Sequence, residues 1–262
     1  MTGAVDRPQS RRDQIRARVA DAGFVRIDAL ADEHGVSAMT IHRDLEDLQG
    51  HGWLRKVRGG ATAVPSSMHH GDVRHRLSTM TAAKQALARA AVLHVEPGQA
   101  VLMDESTTAL AMADLVAERA PLTVVTHFLP LINRLTGDPG VELIALGGSY
   151  FAAYDAFLGL RTAEAIASLR ADLLISSTTA VRRGHCYHQS QETVAVKRAM
   201  MDAADTSVLL VDSSKFDRRG LHHLAPLTAF DHVLVDDGLP VAEQRELRKQ
   251  NVNLTVVPVR TA

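Results

Sequence analysis

Two groups of side chains carry the chemistry this sequence can offer. In the first, Arg43 stands close to Met39, Thr40, His42 and Glu46. Arginine suits the paired acceptors of guanine in a DNA major groove, and threonine suits a phosphate or a thymine methyl. In the second, Asp104-Glu105-Ser106-Thr107-Thr108, Thr126-His127, Gly147-Gly148 and Asp212-Ser213-Ser214-Lys215 bring carboxylates, hydroxyls, a cation and bare backbone. Such groups hold a phosphorylated or hydroxyl-rich small molecule. His185-Cys186-Tyr187-His188 and the His69-His70 pair have zinc-ligand residue types. Adjacent ligands rarely share one ion, and neither run has a second pair at ligand spacing, so no metal and no cofactor are expected. Contact with an effector or an interface is the better use of the first run, and solvation that of the second.

The elements that would present Arg43 follow from helical spacing. From Arg12 on, Ile15, Val19 and Ala22 recur at helical intervals, and Gly23 supplies the stop. Phe24, Val25 and Ile27 lead into a short second helix, Asp28 to His34, ended by Gly35, and Ser37 stands where a third helix, Ala38 to Gln49, needs its N-cap. On that helix Ile41, Leu45 and Leu48 must face the core. Met39, Arg43 and Glu46 then point directly away from it, with Thr40 and His42 on the flanks. Trp53 to Arg58, Gly59-Gly60 and Ala61 to Ala63 read as a hairpin, a basic wing in which Trp53 packs and Lys56 and Arg58 meet the DNA backbone or minor groove. The formal charge of the 262-residue chain is only -1, but Arg7, Arg11, Arg12, Arg16 and Arg18 precede this segment and Arg55, Lys56 and Arg58 follow the third helix. Charge is therefore local, and operator double-stranded DNA is the expected partner, contacted by Ser37, Met39, Thr40, His42, Arg43, Lys56 and Arg58. One recognition helix reads few base pairs, so a homodimer or homotetramer is expected.

The second group needs a different frame. Apolar content of 46% over this length suffices for two cores. The expected organisation is a winged helix-turn-helix over 7–63, a linker over 64–79 and an α/β domain over 80–262. Seven apolar runs, Ala100 to Met103, Leu122 to Thr126, Val141 to Leu146, Leu173 to Ser176, Ser207 to Val211, His232 to Val235 and Leu254 to Val257, alternate with helical stretches. That pattern predicts a doubly wound, mostly parallel sheet with its ligand beyond the carboxyl ends of the strands. A helix over Ala109 to Glu118 would place Ser106, Thr107 and Thr108 at a helix start suited to an anion, although plain capping explains them as well. Lys84 is expected on an exposed helix surface. One cysteine and no run of about 20 apolar residues point to a cytoplasmic protein without a membrane helix.

Gly35-Val36-Ser37-Ala38-Met39-Thr40-Ile41-His42-Arg43-Asp44-Leu45 followed by Val57-Arg58-Gly59-Gly60-Ala61 resembles the DeoR-type bacterial repressors. The resemblance continues through Asp104 to Thr108, Leu146-Gly147-Gly148, Glu192 with Val196-Lys197-Arg198-Ala199-Met200, Asp212 to Phe216 and Asp236 to Pro240. It implies a sensor domain similar in fold to sugar-phosphate isomerases, and release of the operator of a carbohydrate-catabolism operon when a phosphorylated sugar or related metabolite binds. His42-Arg43 stands where the family usually has paired arginines, Ser106 where it has glycine, and His127 where it has asparagine. Ser176-Ser177-Thr178-Thr179 replaces a Gly-Val-Asp-Gly type loop. The effector residues expected on these grounds are Asp104, Ser106, Thr107, Thr108, His127, Gly147, Gly148, Thr178 and Lys215. The loop in which the isomerase fold tends to place an acidic catalytic residue holds no carboxylate here, so catalysis is not expected. Asp44 is assigned to a salt bridge or a helix-surface role in place of base contact, and Glu192 to capping or pairing with a cation.

Overall fold

A computed structural model gives the arrangement of residues 7–50, 54–63, 73–216 and 218–259. The chain divides into two compact units, Met1–Asp72 and Val73–Ala262. The first runs α1 (Arg7–Ala22), β1 (Phe24–Arg26), α2 (Ile27–His34), α3 (Ala38–Gly50), β2 (Leu54–Val57) and β3 (Gly60–Ala63). Ile15 and Val19 of α1, Leu30 of α2 and Ile41, Leu45 and Leu48 of α3 bury together, so the apolar stripe expected on α3 is the packed one. Ser37 Oγ accepts from the Thr40 amide at 3.2 Å and caps α3. The β2–β3 hairpin turns on Arg58-Gly59, with Val57 opposite Gly60. Residues 24–26, expected only to lead into the second helix, form a third strand antiparallel to β3, Val25 opposite Ala61. A side chain at Gly60 would meet the Val25 carbonyl and the Phe24 ring, so glycine is what lets β1 close on the wing. Trp53 and the His69-His70 pair lie outside the described residues.

The second unit opens with α4 (Val73–Ser78) and α5 (Thr81–Ala91). Helix α4 falls within the stretch expected to be linker. Val73 and Arg76 are buried on it, which makes residues 73–78 part of the larger unit. There follow β4 (Ala100–Met103), α6 (Thr107–Leu110), α7 (Ala113–Ala117), β5 (Leu122–Thr126), α8 (Leu129–Leu135), β6 (Val141–Ala145), the hairpin β7 (Ser149–Phe151) and β8 (Ala156–Leu158), and α9 (Leu160–Ala167). The chain continues through β9 (Ala171–Ser177), β10 (Ala180–Arg182), β11 (His185–His188), α10 (Gln191–Ala203), β12 (Ala204–Val211), β13 (His222–Pro226), β14 (His232–Asp236), α11 (Val241–Lys249) and β15 (Leu254–Val257). The seven runs read from the sequence are the seven strands of one sheet, and every neighbouring pair is parallel. Both faces are covered. Val101 and Met103 pack on the side of α5 to α8 while Leu102 packs on the side of α9 and α10, the period of two that a sheet imposes. Each fully buried aliphatic side chain adds roughly 1.5–3 kcal/mol relative to exposure. No helix of the described residues is long and apolar enough to cross a membrane.

Strand order positions the site. Across the sheet it runs β6-β5-β4-β9-β12-β14-β15, so the chain winds one way from β4 and the other way from β9. The chain therefore reverses its direction of winding between β4 and β9, and open α/β sheets take their ligands beyond the carboxyl ends of the strands at such a switch point. The single helix expected over Ala109 to Glu118 is instead two short ones, with the wholly buried Met112 at the break. A four-residue α6 aligns few peptide dipoles, so the helix-start argument for an anion loses most of its force.

Candidate functional site

On the first unit, Met39 (63% exposed), Arg43 and Glu46 stand out from α3 while Thr40 and His42 are half-buried. The Thr40 hydroxyl lies 3.0 Å from Ser37 Oγ, so these two polar groups are also tied to each other. Asp44 points inward. Arg11 Nε donates to it at 2.7 Å and Arg12 Nε at 3.1 Å, and Arg12 also reaches Asp47 at 3.0 Å. Two of the amino-terminal arginines thus fasten α1 to α3 instead of adding to a free basic surface. Lys56 Nζ donates to Glu46 Oε1 at 2.7 Å, and its amide donates to Gln49 Oε1 at 2.7 Å, joining wing to recognition helix. Arg43, Arg55 and Arg58 are exposed and form no ion pair with another described residue.

In the second unit the end of β4 is the centre of a buried polar network. Asp104, wholly buried, accepts from the Ser106 amide at 3.0 Å, from Ser176 Oγ at 2.7 Å and from the Ser177 amide at 2.7 Å, and pairs with the Lys197 ammonium. Asp104, expected among the effector residues, is thus tied into the protein's own network, with three of its four partners on Oδ2. Lys197 also lies 3.2 Å from Glu105, whose other oxygen is 3.1 Å from His127 Nε2. Burial acts to raise the Glu105 pKa, but Lys197, His127 and His188 outweigh it and hold the carboxyl well below the usual range. Burial likewise opposes the Lys197 charge, and Asp104 and Glu105 prevail to raise its pKa.

Beside this network lies a concentration of cations. Lys84, expected on an exposed surface, is 4% exposed, and its ammonium donates to the Arg76 carbonyl. The Thr107 hydroxyl donates to the same carbonyl at 3.4 Å, which places α4 and α5 against the loop after β4. Burial, then the positive field of Lys215, opposed by Asp212 and reinforced by Arg76 and Arg218, brings the Lys84 pKa down to about 8. Burial also lowers Lys215, although Asp212 lies 3.3 Å away. Lys84 and Lys215 are thus two buried lysines whose charges oppose each other, with Asp212 paired to the second and the Arg76 guanidinium set over the Tyr154 ring at 5.6 Å.

The remaining expected residues divide. Ser106 Oγ accepts from the Ala109 amide at 2.9 Å, which is a cap, and Thr108 is buried beside it. The Thr178 hydroxyl donates to the Tyr187 carbonyl at 3.1 Å. Gly148 has φ 157° and abuts the Thr162 hydroxyl, which donates to the Gly147 carbonyl at 2.8 Å, so the close approach there is made by the protein itself. Gly147-Gly148 also follows β6, four strand spacings or roughly 19 Å from the end of β12 that carries Lys215. Glu192 accepts from Ser190 Oγ at 2.8 Å at the start of α10, and that bond lowers its pKa. His185 and Cys186 lie on strand β11: Cys186 is wholly buried, its thiol pushed up to about 12 by desolvation, and His185 Nδ1 is 3.0 Å from His223 Nε2. Sequence reasoning passed over Arg76 and Arg218, and gave no separate role to Glu105 and Lys197, which it met only within longer motifs. Lys84 and Lys197 were legible as lysines on apolar stripes, Lys84 with Leu87, Ala88 and Ala91, and Lys197 with Thr193, Met200 and Ala203.

Comparison with known proteins decides the family. The model described as the DeoR C terminal sensor domain matches residues 79–237, and that of the DeoR-like helix-turn-helix domain matches residues 11–67. The chain belongs to the DeoR family. This DeoR protein is 30% identical over 94% of its length, and 93% of the relative's, to a putative aga operon transcriptional repressor of Escherichia coli O157:H7. It is 28% identical over 92% of its length, and 97% of the relative's, to the L-fucose operon activator of Haemophilus influenzae. Among solved structures, ribose 5-phosphate isomerase A of Methanocaldococcus jannaschii aligns over 51% of this chain and 53% of that one, at 14% identity and a TM-score of 0.38. As a DeoR protein it is a DNA-binding transcriptional regulator, with a sensor domain following its helix-turn-helix.

Proposed function

We propose that this regulator represses a carbohydrate-catabolism operon and leaves its operator when an anionic sugar metabolite, a sugar phosphate or close relative, enters the crevice at the carboxyl edge of the sheet. The observation that carries the anionic class is the pair of buried lysines at this edge, Lys84 on the Arg76 carbonyl and Lys215 3.3 Å from Asp212, with the positive field of Lys215 helping to bring Lys84 down to about 8. Two buried lysines that repel each other are costly without a ligand, and a phosphate dianion would relieve that cost. Thr107 and Ser214 stand close enough in the chain to add hydroxyl contacts. Glu105 and His127 lie at the end where the sugar hydroxyls would be read.

The crevice binds without turning its ligand over. Aldose-ketose chemistry needs a carboxylate free to take a proton, and both oxygens of the buried Glu105 are engaged, one 3.2 Å from Lys197 and the other 3.1 Å from His127. On the DNA side, Arg43 and Met39 read base edges, Thr40 and His42 stand at the flanks of the same helix, Lys56 and Arg58 serve from the wing, and Ser37 acts through its cap. Two copies at half-site spacing, as a homodimer or homotetramer, supply specificity. The test is thermal denaturation of the full chain with sugar phosphates, the same sugars unphosphorylated, and inorganic phosphate. A rise in Tm restricted to phosphorylated compounds supports the reading; a rise with neutral sugars alone overturns the anionic class.

A further inference from the structure

The wing lysine and the recognition helix are joined in a way that gives Glu46 a purpose. Glu46 follows Arg43 by three residues on the outward face of α3, and its side chain is 63% exposed. A bare carboxylate on a DNA-facing surface meets only repulsion from phosphates. Here Lys56 Nζ takes Glu46 Oε1 at 2.7 Å, and the Lys56 amide is held by Gln49 Oε1 at 2.7 Å, so both the position of the lysine and the orientation of the carboxylate are set by two bonds one turn apart. The local charge is neutralised, and Glu46 Oε2 forms no bond within the described residues.

We infer that Glu46 is a base-reading residue that selects cytosine, accepting a hydrogen bond from its N4 amino group while Lys56 screens the carboxylate from the phosphate backbone. In the major groove only cytosine and adenine present amino donors. Adenine adds the N7 acceptor, which repels a carboxylate, so cytosine is the favoured partner. Three helical residues advance about 4.5 Å along the axis, against about 3.4 Å per base pair. Arg43 and Glu46 therefore read neighbouring or next-neighbouring pairs, and each half-site carries a guanine for Arg43 with a cytosine one or two steps away. This inference rests on the operator-binding reading above.

The experiment selects binding sites from a randomised duplex library with the full chain, as wild type, Glu46→Gln and Glu46→Ala, and then titrates the selected duplex and its single-base variants by anisotropy. Wild type should prefer cytosine at one position beside the guanine by about 5- to 10-fold. Glu46→Gln should move that preference toward adenine, which glutamine bonds through N6 and N7, and Glu46→Ala should flatten it while leaving the guanine preference. If Glu46→Ala keeps every base preference and tightens binding to all sequences alike, the carboxylate is merely repulsive and the inference fails alone. If wild type selects no sequence, the operator-binding reading fails and takes the inference with it.

Discussion

Replacing Lys84 by methionine should make the empty protein more stable and its effector weaker. The side chain is 4% exposed and its pKa stands at about 8, against 10.5 for an ordinary lysine, because burial and then Lys215 oppose its charge. At 1.36 kcal/mol per unit, that depression sets an upper limit of about 3 kcal/mol on the cost of keeping Lys84 charged at neutral pH. Relaxation and the bond to the Arg76 carbonyl reduce it, and a net gain on the order of 1–2 kcal/mol, or roughly 2 to 8 °C in Tm, is expected for Lys84→Met. The sign reverses with ligand. A charged hydrogen bond to phosphate contributes about 1.5–3 kcal/mol, so the variant should bind the most stabilising sugar phosphate roughly 10- to 150-fold more weakly. The pH dependence is also fixed. Between about 8 and 10.5 the unfolded chain holds a proton on Lys84 that the folded one has lost, so wild-type stability should rise with pH across that window through this group. Effector affinity should fall as pH passes through about 8, and both trends should shrink in the variant. Thermal denaturation and calorimetric titration from pH 7 to 10 would measure them. A variant that is less stable at pH 7 yet binds the sugar phosphate as tightly as wild type would refute the reasoning.

Asp44→Ala leaves Arg11 and Arg12 without their buried acceptor and should cost the first unit about 2–4 kcal/mol, read as a lower denaturant midpoint with the second unit's transition unmoved. Lys197→Met strands Asp104 and Glu105, and should destabilise the second unit by about 3–5 kcal/mol in the same assay. Arg43→Ala should weaken operator binding by about 1–3 kcal/mol and relax one base preference, whereas Arg58→Ala should weaken all sequences alike and lower the salt slope by about 1; anisotropy at several salt concentrations separates the two.

The apolar pattern made much of the fold legible. Ile41, Leu45 and Leu48 fixed which side of α3 faces out, and seven β-branched or leucine-rich runs became seven parallel strands. Lys84 shares a helix face with Leu87, Ala88 and Ala91, a sign of burial that the expectation of an exposed lysine passed over. What the sequence hid were partnerships across long separations. Nothing local says that Asp104 will meet Lys197, that Glu105 will meet His127, or that Lys56 will reach back to Glu46. Residues 24–26 were misjudged because a three-residue strand has no periodicity of its own and exists only through pairing with β3. The broken helix after Thr107 was hidden for the converse reason: its composition is helical throughout, and nothing local marks the break at Ala111 and the buried Met112.

The most direct test of the account is operator binding by the full chain, followed by anisotropy on its own upstream DNA with and without the sugar phosphate that most raises its Tm. The account predicts tight, salt-dependent binding that this compound weakens by tenfold or more, and that the unphosphorylated sugar leaves unchanged. Operator affinity indifferent to the compound, with the compound nonetheless bound, would contradict it.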